Sequence, residues 1–171
     1  MEAAAELADS EPRFGFEHGS FAQLPQYLQQ RQVAAVDGIL LDLGVSSPQL
    51  DQGERGFSFQ HSGPLDMRMD TSQGQTAAQW LATVAHGDLA RVLRVYGEER
   101  YAGRIASAIL RAREEAPLET TAQLAKVVTE ANPRWEQHKH PATRAFQGIR
   151  IYINGELDEL EQFLASSLEL L

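Results

Sequence analysis

A carboxylate interrupts an apolar run at Asp42, in the stretch DGILLDLGVSSPQLD that spans residues 37–51. Asp is a poor strand former and is costly to bury without a partner. In an open α/β sheet, ligands bind beyond the carboxyl ends of the strands. Asp42 stands at such an end, followed by Gly44 and a polar loop that holds Ser46 and Ser47. There a carboxylate can accept hydrogen bonds from the N–H or O–H groups of a ligand. It can equally cap its own loop through the backbone N–H groups that follow it, and both readings stay open. Phe21 closes a shorter run, RFGFEHGSF, at the equivalent strand end. An aromatic there either flanks a flat ligand or belongs to the core.

A second polar set lies towards the other end. Thr143, Gln147, Arg150 and Asn154 recur at i, i+4, i+7 and i+11, on one face of a helix. Most such faces are simply hydrated, but this one follows directly on a His-Lys-His-Pro loop, which favours a functional reading. His138 and His140 lie two apart with no third ligand of suitable type nearby. That is a weak metal signal, and no metal is expected. No dinucleotide fingerprint, P-loop or nucleophile elbow occurs. With no cysteine, thiolate chemistry and disulfides are excluded within the chain.

The elements that must position these residues can be read from pattern. Residues 2–8 read as the tail of a helix. A strand over about 13–18 places Phe14 and Phe16 on one face. A helix begins near Phe21, with Pro25 confined to its first turn. The apolar run 37–43 reads as a strand covered on both faces, and strand, helix and strand make a βαβ unit. From Gly44 to about Gly74 there is no periodicity, which points to a functional loop.

Helices follow. One carries Leu89, Val92, Leu93 and Tyr96, capped by Asp88. The next carries Tyr101, Ile105, Ala108 and Ile109 and is ended by Pro117. A third is capped by Thr120 or Thr121. A long final helix runs from near Ala142 to the end, along a seam from Phe146 to Leu164. The expected division is a partial sheet domain at 1–71, a helical insertion at 72–136, and a return helix at 137–171.

The net charge of −9 and pI near 5.0 count against nonspecific nucleic-acid binding. The arginine-rich stretch from Arg91 to Arg113 is either a solvated helix face or a local RNA-facing patch. No apolar run approaches a membrane span, and the acidic start is unlike a signal peptide, so the default address is cytoplasmic.

Four segments in order, DGILLDLGVSSPQLDQGERGFSF, GPLDMRMD, YGEERYAGRIASAI and HPATRAFQGIRIYINGELDELEQFL, resemble the RsmH (MraW) family. These are bacterial methyltransferases that use S-adenosylmethionine to modify the N4 amine of a cytosine in 16S rRNA of the small ribosomal subunit. The resemblance implies an α/β fold, a Rossmann-like class I methyltransferase sheet that carries an all-helical inserted domain. It implies cofactor contacts at Phe21, Asp42 and Gln49; as a strand-end acceptor Asp42 can contact the cofactor, the target amine as the catalytic acceptor, or both. Substrate contacts are implied at Ser46, Ser47, Arg144, Arg150 and Asn154, and neither metal nor membrane is required.

The family's glycine-rich first strand would precede Met1, and its fifth strand would follow Leu171. The chain is therefore expected to be an internal fragment, with a partial sheet and negligible cofactor binding alone. The alternative is a noncatalytic helical module that binds rRNA or protein.

Overall fold

The computed structural model describes residues 2–134, 138 and 140–171, and every regular element among them is helical. In chain order the α-helices are α1 (Glu2–Ser10), α2 (Leu24–Gln30), α3 (Ser47–Asp51), α4 (Ala77–Thr83), α5 (His86–Val95), α6 (Ala102–Glu115), α7 (Thr121–Ala131), α8 (Thr143–Asn154) and α9 (Glu156–Ser167), with short 3-10 turns at Phe21–Gln23, Gly53–Arg55 and Leu168–Leu170. The expected α/β fold with a partial Rossmann-like methyltransferase sheet is overturned. Residues 13–18 and 37–43 form no strand, and the one extended pairing described is an isolated antiparallel bridge between Pro64 and Thr120.

The physical reason lies in what a strand needs. Its backbone groups must pair with a neighbour, and an unpaired strand is not stable in water. Residues 13–18 and 37–43 find no such neighbour among the described residues, either in each other or elsewhere. Next to the second of them, the Val36 N–H donates to the Leu170 carbonyl oxygen at 2.8 Å. Leu40, expected to be covered on a sheet, is 94% exposed.

The chain divides into two units, residues 1–42 with 157–171, and residues 43–156. In the first, Phe21 meets Phe163 edge-on at 5.7 Å, and Arg31 pairs with Glu17 at 2.8 Å. The expected single terminal helix is instead two. Gly155 adopts a left-handed conformation (φ 61°), which L side chains disfavour, and α8 ends there.

The second unit holds the core. Leu89, Val92 and Leu93 of α5, Ile105 and Ile109 of α6, Leu124 and Val128 of α7, and Ile149 of α8 are all fully buried. α6 packs against both α5 and α7, while α5 also packs against α8. Helix starts follow capping chemistry. Thr120 and Gln123 form a reciprocal capping box at α7, and Thr76 with Gln79 does the same at α4. Asp88 lies inside the first turn of α5 and does not cap it, since the N-cap position is Ala85. No helix among the described residues is long and apolar enough to cross a membrane.

The α5–α8 contact depends on two glycines. A Cβ on Gly148 would sit 2.9 Å from the backbone nitrogen of Gly97, and a Cβ on Gly97 would collide with the carbonyl oxygen of Arg144. Neither obstacle is a flexible side chain, so the backbone itself would have to move. Gly97→Ala should therefore destabilise the chain by about 1–3 kcal/mol, the usual cost of overpacking, seen as a lower urea midpoint. An unchanged midpoint would show that α5 and α8 have slack.

Candidate functional site

Residues 53–70 fold as an irregular wall beside α8, and each turn of that wall has a stated anchor. Gly56 is left-handed (φ 75°), and a Cβ there would strike backbone atoms of Pro64 and Asp66. The Leu65 N–H donates to the Glu119 carbonyl oxygen at 2.8 Å, and the Thr121 N–H to that of Gly63 at 3.0 Å. Arg55 donates to the carbonyl oxygens of Arg68 (3.1 Å) and Met69 (2.9 Å). Asp66 and Arg68 form a two-point pair at 2.8 and 2.9 Å. The Arg68 guanidinium holds the Asp66 carboxyl below its ordinary range.

Between these anchors Met67 is fully buried with a left-handed backbone (φ 62°), an uncommon conformation for a residue with a side chain. Its N–H donates to the Arg55 carbonyl oxygen at 3.2 Å, and one side-chain amide adds two further bonds beside it. Asn154, at the end of α8, accepts the Met69 N–H at 2.6 Å and donates to the Met67 carbonyl oxygen at 2.8 Å. Its second N–H goes to the Arg150 carbonyl oxygen at 2.9 Å. Asn154 is thus a latch that holds the wall to the helix.

The wall and α8 enclose a cavity of about 170 Å³ lined by Val45, Leu50, Phe57, Phe59, Met67, Thr143, Phe146, Gln147 and Arg150. It is smaller than the clefts of roughly 300–1,000 Å³ that take drug-sized molecules. Three aromatic rings and a thioether supply flat apolar walls. Thr143 and Gln147 supply a hydroxyl and an amide, which together offer both donors and acceptors. The arrangement suits one planar heteroaromatic ring.

Of the face predicted on α8, the structure brings Thr143, Gln147 and Arg150 to the cavity. The Arg150 guanidinium is already engaged, bidentate to Glu156 at 2.7 and 3.0 Å. Arg144 donates to the Glu98 carbonyl oxygen at 2.7 Å. Ser46 precedes α3 and Ser47 begins it, both exposed. Gln49 turns its side-chain oxygen back to the Ser46 N–H at 2.8 Å.

Pattern reading missed Phe57, Phe59, Phe146 and Met67 as lining residues. The signal present was Gly-Phe-Ser-Phe, in which residues two apart share a side when the chain is extended.

A family model described as the MraW methylase family matches residues 1–171. The chain belongs to the MraW methylase family. A ribosomal RNA small subunit methyltransferase H of Acinetobacter baumannii strain AYE is 58% identical over all 171 residues, which make up 55% of that protein. The protein of the same name in Acinetobacter baylyi is 55% identical over the same span and share. The chain therefore spans about half the length of the curated relatives it matches.

The residues assigned to S-adenosylmethionine by resemblance to the MraW family each have a described local setting. Phe21 is packed on Phe163, Asp42 is exposed in a segment without regular structure, and Gln49 is spent on its own helix start. Phe21 and Asp42 belong to one unit and Gln49 to the other.

The latch can be tested directly. Asn154→Ala leaves the Met67 carbonyl and Met69 N–H without partners, and should cost about 1–3 kcal/mol. Asn154→Asp keeps the acceptor but sets a carboxylate against two carbonyl oxygens, so it should not rescue. Chemical denaturation checks both, and full stability in the aspartate variant would contradict the latch.

Proposed function

We propose that the complete family protein transfers a methyl group from S-adenosylmethionine to the N4 amine of a cytosine in small-subunit 16S rRNA. Within it, this chain supplies the substrate side. The observation that carries the reading is the cavity, sized for one ring, walled by Phe57, Phe59 and Phe146 and edged by Thr143 and Gln147. The relatives are named as small-subunit rRNA methyltransferases, which supports the substrate class.

A base that enters such a pocket is read on its hydrogen-bonding edge and held by stacking. The Gln147 amide oxygen accepts from the cytosine amine, and its N–H donates to the ring's acceptor atoms. Asp42 is the proposed catalytic acceptor for the amine. That role belongs to the complete family protein, of which this chain makes up about half. Alone, this chain acts as an RNA-binding module, a reading favoured by the exposed, unstructured surroundings of Asp42.

The acidic total does not oppose RNA contact. Residues 1–42 and 157–171 hold eleven acids against two arginines, which accounts for the whole −9, while residues 43–156 hold thirteen of each sign. Arg91, Arg94, Arg104 and Arg111 are exposed on α5 and α6, and no ion pair engages them among the described residues. They are therefore better phosphate contacts than Arg150, whose charge is already answered by Glu156.

Fluorescence anisotropy with a cytosine-containing fragment of small-subunit rRNA separates the two contact types. Arg91→Glu or Arg94→Glu should weaken binding to every sequence and lower the salt slope by about 0.7 for each lost single-strand phosphate contact. Gln147→Leu should leave the slope unchanged and cut the preference for cytosine over uracil by about tenfold, the worth of one or two hydrogen bonds. An unchanged base preference in the leucine variant would refute the pocket as the place where the base is read.

A further inference from the structure

Phe59 has two ring neighbours. It lies nearly parallel to the His140 imidazole, with centroids 4.3 Å apart and planes at 19°, and it meets Phe146 edge-on at 5.3 Å. Phe59 and Phe146 line the cavity, and His140 stands outside it. His140 is nevertheless exposed. Phe59 covers one face, so the exposure of His140 lies on the rest of the ring. Its Nδ1 accepts the Ala142 N–H at 3.2 Å, which holds the ring at the start of α8 and leaves the ring proton on Nε2.

We propose that the outward face of His140 is a stacking platform for the nucleobase next to the one the cavity admits. The proposal rests on the cavity being a base site. A strand that places one base in a pocket this small must break the stack between that base and its neighbour. The neighbour then loses a ring contact on that side. An aromatic face beside the mouth replaces it, and because every base has a π-face the replacement is tolerant of sequence. Phe59 lies in contact with both Phe146 and His140, so on this proposal His140 meets the strand where it leaves the pocket. Recognition of single-stranded RNA by splayed bases on aromatic side chains follows this pattern.

The bland role for His140 is the hydrogen bond to Ala142, and two variants separate it from stacking. His140→Asn removes the ring but keeps an acceptor, since Asn bonds the backbone N–H two residues on. His140→Phe removes the acceptor and keeps a ring. The 171-residue chain is titrated into a short single-stranded RNA with one cytosine and 2-aminopurine at the adjacent position, on either side in turn.

The wild-type chain should quench the 2-aminopurine on one side. His140→Asn should bind about tenfold more weakly, within the range for one base–aromatic stack, and lose the quenching. His140→Phe should bind and quench as the wild type does. The opposite order, or equal binding by the two variants, would overturn the platform. Wild-type binding without quenching on either side would overturn it while leaving the cavity reading intact. Failure of the wild type to bind the RNA at all would overturn both.

Discussion

One amide side chain joins the two walls of the cavity. Asn154 uses its oxygen and both of its N–H groups, and two of these three bonds reach the backbone of the loop at Met67 and Met69. Together with the Met67 N–H bond to the Arg55 carbonyl oxygen, they hold Met67 in its left-handed backbone. Phe57 and Phe59 lie on the same loop, so their rings depend on the same anchor. The opposite wall depends on the close approach of Gly97 and Gly148, which seats α8 against α5. The polar edge at Thr143 and Gln147 is then presented by a helix fixed at both ends.

This construction separates binding from transfer. The residues that shape the cavity all belong to residues 43–156, which carry no net charge and hold a continuous apolar core. Those assigned to the methyl donor are divided between the two units, and none lies on a sheet among the described residues. A planar ring can be held by packing and a few hydrogen bonds on a helical unit. Methyl transfer further requires the donor and the amine to be held in line.

The helices from α4 to α8 were legible because their apolar residues recur at the helical period and their caps are Thr and Gln at fixed spacing. Arg150 was singled out from the same periodicity, and it does reach the cavity. Its pairing with Glu156 was hidden because the break at Gly155 was read as continuous helix. Asn154 was assigned to substrate, and the structure gives it a second task, binding the loop backbone. Its partners are backbone atoms 85 and 87 residues away, which no local pattern reports.

The strands failed for a related reason. Ile39 to Leu43 has the composition of a buried strand, but a strand is a property of a pair, and its partners are not read from its own residues. The aromatic lining was missed because Phe57 and Phe59 sit in a loop without periodicity, where only the fold decides what they face.

The central claim is that the cavity between Met67 and α8 admits a nucleobase without help from residues 1–42. The direct measurement is a methyl and aromatic NMR titration of the chain with cytidine monophosphate. Binding in the cavity predicts saturable shifts at Met67, Val45, Leu50, Phe59 and Phe146, all lost in Asn154→Ala. Shifts confined to other surfaces, such as Ala112 of α6 and Val127 of α7, would contradict it, as would a spectrum that does not change.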